Sequence, residues 1–171
     1  MMRRPPTEVV PRRSAADDPL ALEGQVCFAM VVAARSVVAL YRPLLEPMGL
    51  THPQYLVMLA LWQNSPLSVK DLSIRLQLDP GTLSPLLKRL EGRHLVVRAR
   101  DAADERLLSV TLTESGRALR ATAELIPGAV VQRLGMSADE LEQLHRTLSA
   151  FMTAAGAPVN SPLDNSPAPR G

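Results

Sequence analysis

The chain has 171 residues, a formal net charge of +2 and 46% hydrophobic side chains. That is one domain's length with enough apolar material for a substantial core, and it excludes a charge-driven disordered chain. One cysteine excludes an intrachain disulfide and points to a reducing, cytoplasmic setting.

Residues 1–16 are rich in Pro and Arg and read as a disordered tail. No apolar stretch follows Met1-Met-Arg-Arg-Pro-Pro6, so no signal peptide is expected there. The folded part is expected over 17–155. A long helix should start near Asp18, with Pro19 at its first position, and run to about Glu46. Between Val26 and Tyr41 it is apolar almost all round, broken by Arg35 and Ser36. A helix apolar on every face needs cover on every face, which in so short a chain points to a partner subunit. Its longest apolar run, 26–34, falls short of the about 20 residues that span a bilayer, so no membrane is expected. Thr51-His-Pro-Gln54 has capping-box spacing and opens a second helix. Tyr55, Leu56, Met58, Leu59 and Trp62 form its expected buried side.

Residues 65–113 carry the densest signal. Ser68-Val-Lys-Asp71 can cap a short helix with Val69, Leu72 and Leu76 on one face. Asp79-Pro80 opens the next, where Leu83, Leu86, Leu87 and Leu90 repeat at i, i+3, i+4, i+7 and must face a core. Its opposite face carries Thr82, Ser84, Lys88 and Arg89. Pro85 lies inside and predicts some bending. Two strands follow, Leu95–Arg100 and Leu107–Thr113, with the polar hairpin tip Asp101-Ala-Ala-Asp-Glu-Arg106 between them. A hairpin after a helix pair is a wing, and the second helix suits the major groove of DNA. A wing arginine such as Arg106 suits the minor groove. Residues 70–100 hold seven basic side chains (Lys70, Arg75, Lys88, Arg89, Arg93, Arg98, Arg100) against Asp71, Asp79 and Glu91, a surplus that favours phosphate contact. A basic cluster alone is more often a solvated face. Here the order helix, turn, helix, hairpin, with matched caps, favours DNA. The candidate DNA-binding residues are Asp79, Thr82, Ser84, Lys88, Arg89, Arg98, Arg100, Asp104 and Arg106.

After the wing, Thr113 can cap a helix through Leu119, Ala123, Ile126, Val130 and Leu134, which Pro127 should kink or split. Ser137-Ala-Asp-Glu140 is a capping box, and Leu141, Leu144, Leu148 and Phe151 form a narrow seam suited to a helical partner. The tail from Gly156 reads as disordered. The fold class is mainly α with a small β-wing. His52, His94 and His145 are isolated, so no metal site is expected, and no glycine-rich phosphate loop or nucleophile elbow implies a cofactor or an enzyme.

The wing sequence Asp104-Glu-Arg106, followed by Val110-Thr-Leu-Thr113, resembles the MarR family of bacterial transcription regulators. The resemblance implies a homodimer with two winged domains on a pseudopalindromic operator. It also implies dimerisation helices from both chain ends, here 17–50 and 114–155. Cys27-Phe-Ala, Leu40-Tyr-Arg-Pro-Leu-Leu-Glu-Pro47, Gly49-Leu-Thr-His-Pro-Gln-Tyr55 and Asp79-Pro-Gly-Thr-Leu-Ser-Pro85 are similar to one branch, the OhrR-type sensors of organic hydroperoxides, over about residues 18–150.

On its own residue type, Cys27 on an apolar helix is an inert small hydrophobe, and the sequence shows no cation or donor beside it. In the resembling branch the matching cysteine is the sensor. It lies near the second helix of the other subunit, and two tyrosines hydrogen-bond its sulfur. Tyr41 matches the first; His52 stands where the second is usual, and Phe28 belongs to the same motif. An imidazole can donate a hydrogen bond as tyrosine does, and adds charge if protonated. On residue type alone His52 is an exposed first-turn residue. Pro80 also departs from the family's frequent serine, removing a hydroxyl from the DNA side. The leading expectation is a repressor released from operator DNA when an organic hydroperoxide oxidises Cys27, with a low-molecular-weight thiol as a partner of the oxidised sulfur. The alternatives are a MarR-type regulator released by a small phenolic or apolar ligand with Cys27 inert, and a thiol peroxidase, which the lack of a resolving cysteine weakens.

Overall fold

A computed structural model describes residues 18–100 and 108–156. The wing tip with Asp104 and Arg106, the expected tail 1–16 and the expected C-terminal tail beyond Gly156 lie outside the described residues. The chain divides into two units, residues 1–39 and residues 40–171.

In the first unit the helix does not start near Asp18. The Asp18 carboxylate accepts the Leu20 N–H at 2.9 Å, and Gln25 Nε2 donates to the Pro19 carbonyl at 2.8 Å. These bonds close a turn, Leu22–Gly24 forms a single 3₁₀ turn, and α1 spans Val26–Leu45. Gly24 is a poor helix former, and Asp18-Pro19 is spent on the turn. Val26, Val31 and Val37 of α1 are exposed at 63%, 48% and 41%. The segment Val26–Met48 is 23 residues, long and apolar enough to cross a bilayer by length and composition. The run 26–34 taken alone understates this span, because the apolar sequence resumes beyond Arg35 and Ser36.

The second unit is a winged helix-turn-helix. Helix α2 covers His52–Gln63. Gln54 Oε1 accepts the Thr51 N–H at 2.9 Å, the returning half of the expected capping box. The buried side differs from expectation: Val57 and Leu61 are buried with Tyr55 and Met58, whereas Leu56, Leu59 and Trp62 are half-buried. The reason is that α2 is central, packed against α3, α4, α5 and the sheet, so it has no single buried stripe. Trp62 stays at the margin because its indole N–H reaches the Gly116 carbonyl at 2.9 Å.

A short strand, β1 (Leu67–Ser68), was not anticipated. Two residues give no alternation to detect. Helix α3 (Val69–Leu76) follows, with the Ser68 hydroxyl accepting the Asp71 N–H at 3.0 Å. Helix α4 (Pro80–Gly92) runs on through Pro85. Leu83, Leu87 and Leu90 are buried and Leu86 half-buried. Strands β2 (Val96–Arg100) and β3 (Leu108–Leu112) pair antiparallel with Arg98 opposite Val110, and β1 joins the other edge of β3. The sheet order is β1-β3-β2. Helix α5 (Glu114–Ala123) is capped by Thr113, whose hydroxyl accepts the Gly116 N–H at 3.0 Å. Pro127 splits rather than kinks: α6 (Ile126–Leu134) takes it in its first turn. Helix α7 (Ala138–Ala154) starts with the expected Ser137–Glu140 box. Its seam residues Leu144, Leu148 and Phe151 are exposed.

Gly116 is where α5 meets the sheet. A Cβ there would stand 2.0 Å from the Leu95 carbonyl oxygen, which is backbone and cannot swing aside. Gly116→Ala should therefore cost at least the ~1–3 kcal/mol of an overpacked core despite alanine's better helix propensity. Chemical denaturation checks this; a more stable variant would show that α5 shifts freely.

Candidate nucleic-acid interface and cysteine site

The second unit presents α4 to solvent along one face. Chain reversal between α3 and α4 uses Gln77 in the left-handed region, φ 51°. Asp79 then caps α4: its carboxylate accepts the Thr82 N–H at 2.9 Å and the Thr82 hydroxyl at 2.6 Å. These Thr82 bonds hold Asp79 below the ordinary carboxylate range. With the leucine row inward, Thr82, Ser84, Lys88 and Arg89 are all exposed on the opposite face. Arg100 is exposed at the end of β2, toward the wing tip.

Two members of the basic surplus are spent inside the fold. Arg98 gives Nε (2.9 Å) and Nη2 (2.6 Å) to Glu91 Oε2, while Glu91 Oε1 accepts the Arg98 N–H at 3.2 Å. Hydrogen bonding to Arg98 keeps the Glu91 carboxyl below its usual range. This charge-assisted set ties β2 to α4. Arg93 donates to the Gly49 carbonyl and, at 2.9 Å, to the Met48 carbonyl. It thereby ties the end of α4 to the turn before α2. Neither role was visible in the sequence, because both join residues whose proximity only the fold creates. Lys70, Arg75, Lys88, Arg89 and Arg100 remain exposed.

Cys27 is exposed and is the second residue of α1, not buried mid-helix as a start near Asp18 implied. Phe28 beside it is also exposed, at 38%. In the second unit, Tyr41 and His52 come together: their rings stand edge to face at 4.8 Å. Tyr55 continues the stack at 5.9 Å from Tyr41, and Trp62 follows at 6.3 Å. His52 is half-buried, so the reading of it as an exposed first-turn residue does not hold. Burial pushes the Tyr41 hydroxyl up and the His52 imidazole down, so His52 favours its neutral form.

A capped reading helix, a preceding helix and turn, and a three-stranded wing define a winged helix-turn-helix DNA-binding regulator. The chain belongs to the MarR family, whose pattern matches residues 50–108. It is 46% identical over 146 residues to the HTH-type transcriptional regulator TtmR of Methylorubrum extorquens, covering 85% of this chain and 75% of that protein. It is 40% identical over 135 residues to the organic hydroperoxide resistance transcriptional regulator of Bacillus subtilis, covering 79% and 92%. Reduced AbfR bound to DNA, from Staphylococcus epidermidis, superimposes with a TM-score of 0.65 at 32% identity, covering 78% of this chain and 94% of that one. Such proteins are dimeric transcription regulators, not enzymes. Exposed apolar residues on α1, α6 and α7 fit a partner subunit rather than a bilayer.

The His52 shift carries a pH signature. The folded state binds the imidazole proton less well than the unfolded chain, whose value is near 6.5. Stability from neutral His52 is complete above that value and falls as pH drops below it toward the lower folded value. Asp79, Glu91 and Glu140 are all depressed, so theirs is lost only farther down, as pH falls through and below their ordinary 3.8 and 4.5. The melting temperature should therefore decline between pH 7.5 and 5.5, and His52→Tyr should flatten that decline. An equally steep slope in the variant would assign it to other groups.

Proposed function

We propose that this regulator is a cytoplasmic repressor that senses organic hydroperoxides through Cys27. The observation that carries the reading is the sole cysteine exposed in the first turn of α1, in a chain 40% identical to an organic hydroperoxide resistance regulator. A helix N-terminus is a setting that favours negative charge, as an attacking thiolate requires. The folded domain is taken as 17–155, with the DNA-reading unit at 65–113 and the dimerisation helices at 17–50 and 114–155. In the reduced dimer, Thr82, Ser84, Lys88 and Arg89 of α4 face the major groove, with Arg100, Asp104 and Arg106 on the wing. Asp79 caps the reading helix, and Arg98 serves DNA through Glu91 by holding the wing strand. Tyr41 and a neutral His52 form the donor pair for the cysteine of the opposite subunit, with Phe28 beside the sulfur.

The chemistry balances in two steps. The Cys27 thiolate attacks the peroxide O–O bond, takes one oxygen as sulfenic acid after protonation, and releases the alcohol. A low-molecular-weight thiol then displaces water from the sulfenic acid and leaves a mixed disulfide. With a single cysteine, no disulfide within the subunit can close. The adduct puts a bulky polar group on an apolar helix face meant for a partner, so the dimer must rearrange.

A gel shift on operator DNA tests this. Reduced protein should bind; stoichiometric organic hydroperoxide with a small thiol should release it; reductant should restore binding. Intact mass spectrometry should show one thiol adduct per chain, and Cys27→Ser should stay bound throughout. Release of Cys27→Ser by peroxide would sink the redox reading, and release by a phenolic ligand with Cys27 unmodified would favour the ligand-responsive alternative. On the DNA side, Arg106→Ala should weaken binding and lower its salt dependence. An unchanged salt slope would remove Arg106 from the phosphate contacts.

A further inference from the structure

Thr82 has one hydroxyl proton, and the fold has already committed it. Asp79 is exposed and its carboxyl lies below the ordinary range, so at neutral pH it is an ionised group that only accepts hydrogen bonds. In the 2.6 Å contact between Thr82 Oγ1 and Asp79 Oδ2, Thr82 must therefore be the donor. The backbone donors nearby are committed too. The Gly81 and Thr82 N–H groups are directed at the Asp79 carboxylate, and the Leu83 N–H reaches the Asp79 carbonyl at 3.0 Å. Pro80 has no N–H, and Pro85 has none to give the Gly81 carbonyl. The first turn of α4 thus shows solvent lone pairs: those of Thr82 Oγ1, of Asp79 and of the Gly81 carbonyl. Ser84, farther along, keeps its own hydroxyl proton among the bonds described.

That polarity decides what this turn can touch. Phosphate oxygens are acceptors and negatively charged, so an acceptor turn holding a carboxylate cannot hydrogen-bond them. In the major groove the base-edge donors are the exocyclic amino groups, N4 of cytosine and N6 of adenine. We propose that Thr82, held by Asp79, is a specificity-determining residue that reads such an amino group as a hydrogen-bond acceptor. This rests on the reading of α4 as the helix that enters the major groove, and it adds which base chemistry that helix selects.

The test uses the full-length reduced protein and its preferred duplex, selected from a random-sequence pool. Cytosines are replaced one at a time by 2-pyrimidinone, which lacks the N4 amino group, and adenines by purine, which lacks the N6 group. One position per half-site should cost wild type about tenfold when its amino group is deleted, within the range of a single base contact. Thr82→Val should bind the selected duplex about tenfold more weakly and be indifferent to that deletion. Thr82→Ser, which keeps both the bond to Asp79 and the lone pairs, should remain sensitive. Circular dichroism confirms that both variants fold; if Thr82→Val does not, the serine variant's sensitivity decides alone. Equal sensitivity in wild type and Thr82→Val would overturn the proposal. So would a loss in Thr82→Val that is uniform across sequences with a reduced salt slope, the sign of a phosphate contact. Loss of preference in Thr82→Ser would assign the methyl group instead. A protein that binds no duplex would remove the major-groove reading of α4 as well, whereas tight binding without the coupling removes the Thr82 proposal alone.

Discussion

The leucine row of α4 sets the rotation of the helix, and through it every candidate DNA contact. Leu83, Leu87 and Leu90 are buried at 0%, 1% and 0% exposure. Each contributes about 1.5–3 kcal/mol relative to an exposed side chain. Turning α4 by one residue, roughly 100°, would expose much of this row and bury Lys88 or Arg89 without a partner. The polar face therefore points outward because the apolar face cannot. Arg93 and Arg98 finish the placement at the helix end: one grips the turn before α2, the other is gripped by Glu91 and fixes the wing strand. Arginine suits both jobs, because its planar fork reaches two acceptors while the charge stays paired.

Basic charge in this segment thus has two uses that composition cannot separate. Seven cations lie between residues 70 and 100, yet two of them hold the fold. In the sequence the seven weigh together as a surplus that favours phosphate contact, since a count carries no information about a carboxylate seven residues away across a strand boundary. The helices were legible for the opposite reason. Their signals are local: Ser68, Asp79, Thr113 and Ser137 each bond a backbone N–H three residues on, and the periodic leucines sit within the same turns. Strand β1 escaped because two residues have no period, and the buried side of α2 was misjudged because a helix enclosed by four neighbours has no polar face to subtract.

The cysteine side was partly legible. Cys27 and Tyr41 stood out by resemblance, while the start of α1 was misplaced because Asp18-Pro19 can open either a helix or a turn. Gln25 decides between them by bonding back to Pro19. His52 changed meaning most. In sequence it is a first-turn residue with a free imidazole; in the fold its ring is stacked edge to face on Tyr41 and half-buried. A half-buried imidazole disfavours its charge, so the departure from tyrosine puts a neutral ring at this position, not a new cation.

Helix α2 joins the Tyr41–His52 pair to the DNA-reading unit. Its first residue, His52, meets Tyr41; its last turn carries Trp62, whose N–H holds α5 at Gly116. Along its length it packs on α3, α4 and β3. A helix of three turns with a filled core side shifts as a body, because repacking Val57, Met58 and Leu61 one at a time would open cavities. On the proposed reading, the oxidised sulfur of one subunit presses at the His52 end of the other subunit's α2. Displacement there reaches α4 by direct packing, without a relay of side-chain hydrogen bonds. The capped start of α4 then moves with its polarity intact, since Asp79 and Thr82 travel together. On that reading, release requires only that the reading face be carried out of register with the groove, not that the contacts themselves be dismantled.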